Sequence, residues 1–301
     1  TPNDIQTISQ LAENYIIIGD LERANKLTIE MIEINPDYSY SYYLNHLISR
    51  LNNDDNSALV SLNKAIMRDR ENTKFLVEKI KLLGSLKKFD MANFNISILN
   101  NKDVNSEIIS ELITEIKNAE ASDTLQKAQK SIKSKKYEEA LKYYNRLISN
   151  DTSDPFLYFE RGQILNILMD YENAEIDLKK ALSLNTELHS KNIYFILGKN
   201  YYQMGNIEKS IEFINYELKQ NNSNTKALKW QIRNLFEQGN YADAELYAKR
   251  LIDTNPKSSY GYAILGDIKL LMGKISESND LHNKVIEIDP NYKIATKKKL
   301  N

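Results

Sequence analysis

Apolar residues recur along this chain with the three-to-four spacing of amphipathic helices, and the spacing is interrupted at regular intervals. The stretch Pro155–Leu188, PFLYFERGQILNILMDYENAEIDLKKALSLNTEL, shows the unit most clearly. It predicts two helices with a short turn at Met169–Tyr171. The small residues Gly162, Ala174 and Ala181 sit where two such helices would have to touch. A period near 34 residues is the mark of a repeat array rather than of a mixed globular domain.

The register can be checked at the small residue in the middle of each unit. Successive units place Ala24, Ala58, Ala92, Ala140, Ala174, Ser210, Ala244 and Ser278 there. The spacings are 34, 34, 48, 34, 36, 34 and 34. A second helix that crosses a first one closely has room only for a methyl or hydroxymethyl group at the crossing. The units assigned on this register are Ile5–Tyr38, Ser39–Asn72, Thr73–Ser106, Ala121–Asp154, Pro155–Leu188, Lys191–Asn224, Thr225–Ser258 and Ser259–Tyr292. Other marks keep the same phase. Gly162, Gly198 and Gly266 share one position, Gly19, Gly205, Gly239 and Gly273 a turn position, and Pro36, Pro256 and Pro290 a terminal one. Asp154-Pro155 supplies an N-cap followed by Pro at the first helical position.

This pattern resembles the tetratricopeptide repeat, with its W-x2-L-G-x2-Y, A-x3-F and A…P marks in 34 residues. In the first unit Ile8 stands for the Trp, Leu11-Ala12 for Leu-Gly, and Tyr15, Ala24 and Pro36 for the Tyr, Ala and Pro. The resemblance covers Ile5–Tyr292 and implies an all-α, right-handed superhelical solenoid of eight helix-turn-helix repeats. Units two and three fit least, with His46 and Ile80 at the small position of the first helix and Asn45 and Lys79 at its Leu. Unusual packing is expected there.

The 48-residue spacing divides the expected architecture into a block of three repeats (1–106), a helical connector (107–120) and a block of five (121–292). Ile109, Leu112, Ile113 and Ile116 keep helical spacing, and Ser106 is a candidate cap. The segment reads as one long helix extending the first helix of unit four, or as two with a break near Ala121–Asp123. A buried apolar face is expected in either case. Residues 293–301 read as the beginning of a polar terminal helix. The sequence opens Thr1-Pro2 without Met and is expected to be a piece of a longer protein.

Composition narrows the chemistry. With no Cys there are no disulfides, thiolate metal sites or Cys nucleophiles. A net charge of −1 gives no bulk field toward nucleic acid or an anionic membrane, and no apolar stretch reaches bilayer length. His46, His189 and His282 lie far apart in the sequence with no pair at i, i+4, so no His pair or His–carboxylate cluster suggests a metal or a catalytic site. No Gly-rich phosphate loop is present. The expectation is a non-enzymatic protein without cofactor.

In the tetratricopeptide family the first helix of each repeat lines a concave surface that holds extended peptides. Carried over, the resemblance places Tyr40, Tyr43, Phe156, Phe159, Phe195, Tyr202, Phe236 and Tyr260 on that surface as candidate anchors. The Lys-Asn-Asn-Lys-Arg carboxylate clamp of one family subset is absent, since its first-unit offsets hold Ser9, Glu13, Leu44, Lys74 and Glu78. A different positive strip stands out. Lys226, Lys229 and Arg233 are spaced i, i+3, i+7 on one helix face of unit seven, with Lys199 of unit six beside them. Bordered by Phe195, Tyr202, Phe236 and Tyr260, the strip suits an extended peptide with acidic and apolar residues. The competing expectation is internal neutralisation, with Asp267 pairing to Arg233 or Lys229. Three functions fit: an interaction scaffold holding a segment of another protein, an assembly factor or secretion-type chaperone of the bacterial cell envelope, and the regulatory arm of a larger enzyme.

Overall fold

The computed structural model describes residues 4–184 and 192–292. The expected terminal helix at 293–301 and His189 lie outside them. The described residues hold sixteen α-helices and no strand. The first six are α1 (Ile5–Ile18), α2 (Leu21–Ile34), α3 (Ser39–Leu51), α4 (Asp55–Arg68), α5 (Thr73–Ser85) and α6 (Phe89–Asn100). Then come α7 (Ser106–Lys133), α8 (Tyr137–Asn150), α9 (Pro155–Ile167), α10 (Tyr171–Leu184) and α11 (Ile193–Gln203). The last five are α12 (Ile207–Gln220), α13 (Thr225–Glu237), α14 (Tyr241–Thr254), α15 (Ser259–Leu271) and α16 (Ile275–Ile288). The chain divides into two compact units, unit 1 (Thr1–Gln126) and unit 2 (Lys127–Asn301).

The crossing position behaves as its chemistry requires. Ala24, Ala58, Ala92, Ala140, Ala174, Ser210, Ala244 and Ser278 are all buried, none more than 1% exposed. Across from them the first helix leaves equally little room. A methyl group on Gly162 would lie 2.9 Å from Leu178 Cγ, and one on Gly198 2.7 Å from Ile214 Cδ1. Where the small residue is missing, the pair is held differently. His46 is 2% exposed, and its Nδ1 lies 3.1 Å from the carbonyl oxygen of Ala58, the crossing residue itself. Burial pushes the His46 pKa below its ordinary value.

Each hairpin turns through one left-handed residue. Gly19, Asn53, Lys87, Lys135, Met169, Gly205, Gly239 and Gly273 occupy the same repeat position, with φ between 57° and 81°. Four units supply glycine, for which this conformation is unstrained, and four do not. Met169 is 73% exposed, so its side chain adds little packing to offset the backbone cost. Met169→Gly is therefore expected to stabilise unit 2 by about 0.5–1 kcal/mol, the αL penalty less the added freedom of the unfolded chain. A lower denaturant midpoint for this variant than for wild type would contradict that strain.

Helix α7 is continuous from Ser106 to Lys133, an extended first helix without a break at 121–123. Its cap is Asn105, not Ser106: Asn105 Oδ1 accepts from the backbone N–H of Glu107 at 2.8 Å. Ile109, Leu112 and Ile116 are buried with Leu76, Ile80 and Leu83 of α5, and Ile113 packs at the margin of this cluster.

In unit 2 the seams between repeats come in two kinds, and the kinds alternate. At the first, Asn145 of α8 meets Arg161 of α9 (Nη1–Oδ1 2.8 Å), and Arg161 clasps Asp177 of α10 through Nε and Nη2 at 2.6 and 2.8 Å. The equivalent positions two seams later hold Asn215, Gln231 and Tyr247, with Gln231 Nε2 and Tyr247 Oη both donating to Asn215 Oδ1. The intervening seam is built on a glutamate. Glu175 Oε1 accepts from Tyr201 Oη and from Lys179, each at 2.6 Å. The last seam repeats that plan with Glu245 between Lys249 and Lys269, at 2.7 and 2.8 Å. Lys269 also bonds Glu277 at 2.7 Å. Hydrogen bonds from Lys249 and Lys269 hold the Glu245 pKa down at about 2. Partners therefore match in polarity across each seam, and a two-repeat pattern is laid over the single repeat.

Candidate partner-binding surface

Within unit 2 the first helices of successive repeats lie side by side, α9 against α11 and α11 against α13. The starts of α9, α13 and α15 are fixed by side-chain caps. Asp154 Oδ1 accepts from Phe156 N–H, Asn224 Oδ1 from Lys226 and Ala227 N–H, and Ser258 Oγ from Gly261 N–H. With the starts fixed, Lys226, Lys229 and Arg233 fall on the exposed side of α13.

The rings and cations of α11, α13 and α15 form a continuous row. Trp230 is its centre. Tyr202 meets the Trp230 ring edge-on at 5.1 Å and 78°. Lys199 Nζ lies 5.6 Å from the Trp230 ring centre and 5.9 Å from that of Phe195. The Arg233 guanidinium lies 4.5 Å from Tyr202 and 5.2 Å from Trp230. One repeat further on, Lys229 Nζ lies 5.1 Å over Tyr260. Such cation–ring contacts hold cations on an apolar floor without discharging them.

Arg233 is also neutralised, but not by Asp267. Its Nε donates to Glu237 Oε1 at 3.0 Å, four residues on in its own helix. Its Nη2 donates to Tyr202 Oη at 2.6 Å, and that hydroxyl donates on to Glu237 at 2.6 Å. The Glu237 carboxylate raises the Tyr202 pKa through this bond. Asp267 lies 3.2 Å from His282 Nε2. Among the described residues Lys226 and Lys229 have no carboxylate partner, so the net positive charge of the strip is theirs and that of Lys199.

The predicted anchors separate into groups. Phe195, Tyr202 and Tyr260 are half-buried and sit in the row. Phe236 is half-buried too, but its ring contact is with Tyr241 at 5.6 Å, at the start of α14. Phe156 is 41% exposed at the start of α9. Phe159 and Tyr43, expected on the surface, are buried at 4% and 5%. Their shared repeat position points into the seam between first helices, where Tyr43 stacks on Phe75 at 5.0 Å. Tyr40 remains half-buried beside Tyr43 at 5.5 Å in unit 1. The expected set left out Trp230 and Glu237. Trp230 is the one Trp of the sequence and stands one place off the positions carried over from the family. Glu237 is legible as the i+4 partner of Arg233.

A family model described as tetratricopeptide repeat matches residues 157–187 and 192–215. The match falls on the two repeats whose hairpins and crossing residues Ala174 and Ser210 are described above. The chain carries tetratricopeptide repeats. Solved structures similar to this repeat protein include a crystal structure of MamA, at TM-score 0.53 and 16% identity, covering 56% of this chain and 92% of that one. MamA 41-end from Desulfovibrio magneticus RS-1 gives TM-score 0.53 at 16% identity, covering 57% and 97%. MamA AMB-1 gives 0.52 at 15%, covering 58% and 94%. At these identities the likeness is one of fold. No curated protein matches the sequence. A repeat architecture of this kind supports an interaction scaffold. Among the described residues there is no group of three or more side chains placed to hold a metal ion, and no helix is long and apolar enough to cross a membrane.

Proposed function

We propose that the repeats of unit 2 hold an extended segment of another protein against the face made by α9, α11, α13 and α15, and select for acidic and apolar residues. The row Phe195–Lys199–Trp230–Tyr202–Arg233 is the observation that carries this reading. Rings fixed by their neighbours bury large area on binding with few rotors to freeze. Lys226 and Lys229, exposed and without a carboxylate partner among the described residues, supply attraction that an acidic segment would complete. Nucleic acid fits less well, because the strip is small and the protein has a net charge of −1.

The test uses synthetic peptides of roughly twelve residues, about 40 Å extended, selected from a random library on the whole protein. Selected peptides are expected to be acidic and apolar. Lys226→Glu/Lys229→Glu and the triple variant adding Arg233→Glu are expected to weaken them about ten-fold or more and to flatten the salt dependence. The double variant leaves the Arg233–Tyr202–Glu237 network intact, so loss of binding there is not loss of fold. Unchanged affinity and salt dependence in both folded variants would place the binding site elsewhere.

A further inference from the structure

In unit 1, α6 differs from every other second helix on its outer side. Three repeat positions point outward there: one before, two after and six after the crossing residue. In α6 they hold Met91, Phe94 and Ile98, spaced i, i+3, i+7, and all three are exposed, Phe94 by 66%. The other seven second helices each carry at least one charged residue at these positions, as with Lys64 in α4, Lys180 in α10 and Arg250 in α14. No charged residue occurs from Met91 to Asn101.

The stripe continues onto α4. In unit 2 successive second helices meet through Tyr247 and Asn215, which stand three and five places past their crossing residues. The equivalents in unit 1 are Asn95 of α6 and Asn63 of α4, and Leu59 and Ile66 of α4 pack against the cluster that holds Ile96 and Leu99 of α6. Met91 and Ile98 lie one turn either side of Asn95, and Val60 and Met67 one turn either side of Asn63, all four exposed. With Phe94 they make one apolar face over the α4–α6 seam, roughly a few hundred Å², the size at which an exposed patch is often functional.

We propose that this face is a two-fold interface with a second copy of the chain, with α6 lying against α6. Near a two-fold axis each residue meets its own copy, so any charge there meets its like. Among the second helices only α6 meets that condition, and Phe94, in the middle of the stripe, takes the axis. The charges that border the face are opposite in sign. Lys64 stands between Val60 and Met67 on α4, and Asp90 beside Met91 on α6. Neither has an ion-pair partner among the described residues, so each is available to the other across the two copies. An apolar centre with a charged rim is the anatomy of a homodimer contact. The face uses none of the residues assigned above to the partner segment, so the proposal does not depend on that reading.

Sedimentation and light scattering of the whole protein between about 1 and 100 μM read the assembly. Wild type is expected to form a dimer with a Kd of about 10 μM or below. Phe94→Glu sets two carboxylates against each other at the axis and is expected to raise the Kd about 100-fold or more. Met67→Glu, on α4, is expected to raise it about ten-fold. Both residues are exposed, so helicity and unfolding midpoint are expected to match wild type and to separate lost assembly from lost fold. Ile176→Glu is the control: Ile176 holds the position of Phe94 in α10 and is exposed, but its stripe carries Lys180. That variant is expected to dimerise as wild type does. Raised salt is expected to leave the dimer intact, because its centre is apolar. A monomeric wild type would overturn the proposal and leave the face to a different protein. A dimer that survives Phe94→Glu, that Ile176→Glu weakens equally, or that salt dissolves would overturn it by placing the contact elsewhere.

Discussion

Ala174→Phe is expected to destabilise unit 2 by about 3 kcal/mol or more, at the upper end of what overpacking a filled core costs. Ala174 is wholly buried. The helix opposite gives no space: even a methyl group on Gly162 would sit 3.4 Å from the Ala174 carbonyl oxygen and 2.9 Å from Leu178 Cγ. A benzyl group has to separate α9 from α10, and repeat stability depends on each hairpin's contact with its neighbours. Denaturant unfolding followed by the fluorescence of Trp230, which lies in the same compact unit, measures the effect. A midpoint unchanged from wild type would show that Ala174 is not at the crossing.

The second large effect concerns Arg161. Asp177 is 3% exposed and receives two hydrogen bonds from the guanidinium, at 2.6 and 2.8 Å. Asn145 takes the remaining Nη1 bond. The bonds to Asp177 raise the Arg161 pKa. Arg161→Met strands a buried carboxylate, and the expected cost is about 3 kcal/mol or more. Arg161→Met/Asp177→Leu removes both charges and is expected to recover most of that loss, because an apolar pair of similar size avoids the desolvation of the ions. The same Trp230-monitored unfolding, run as a double-mutant cycle, reads the coupling. A single-variant loss below about 1 kcal/mol would mean that the pair behaves as an ordinary surface bridge.

Both effects arise at positions with different legibility. Ala174 is one of eight small residues in register, and a reader of the sequence finds it directly. Arg161 and Asp177 look like surface charges on two amphipathic helices until the hairpin closes. The candidate surface divides in the same way. Lys226, Lys229 and Arg233 share a face by helical spacing alone. The Arg233–Glu237 pair follows from helical spacing as well, but that Tyr202 joins it, while Asp267 meets His282, depends on how α11 lies against α13 and α15 against α16.

The sequence by itself determined the repeat, its phase and the all-helical class, because these depend on contacts within one hairpin. Crossing residues, caps and left-handed turns recur at fixed short offsets, and steric limits on each are strict enough to leave a mark in composition. Helix period and turn chemistry are local, so they survive translation into residue spacing. Only the tertiary structure decided the seams. Asn145 meets Arg161 and Glu175 meets Tyr201 across 16 and 26 residues, between elements whose relative rotation no single helix records. It buried Phe159 and Tyr43 and brought Trp230 between Lys199 and Arg233. Side-chain partners between repeats are chosen by the angle at which helices pack, and that angle is set by all the contacts of the seam together.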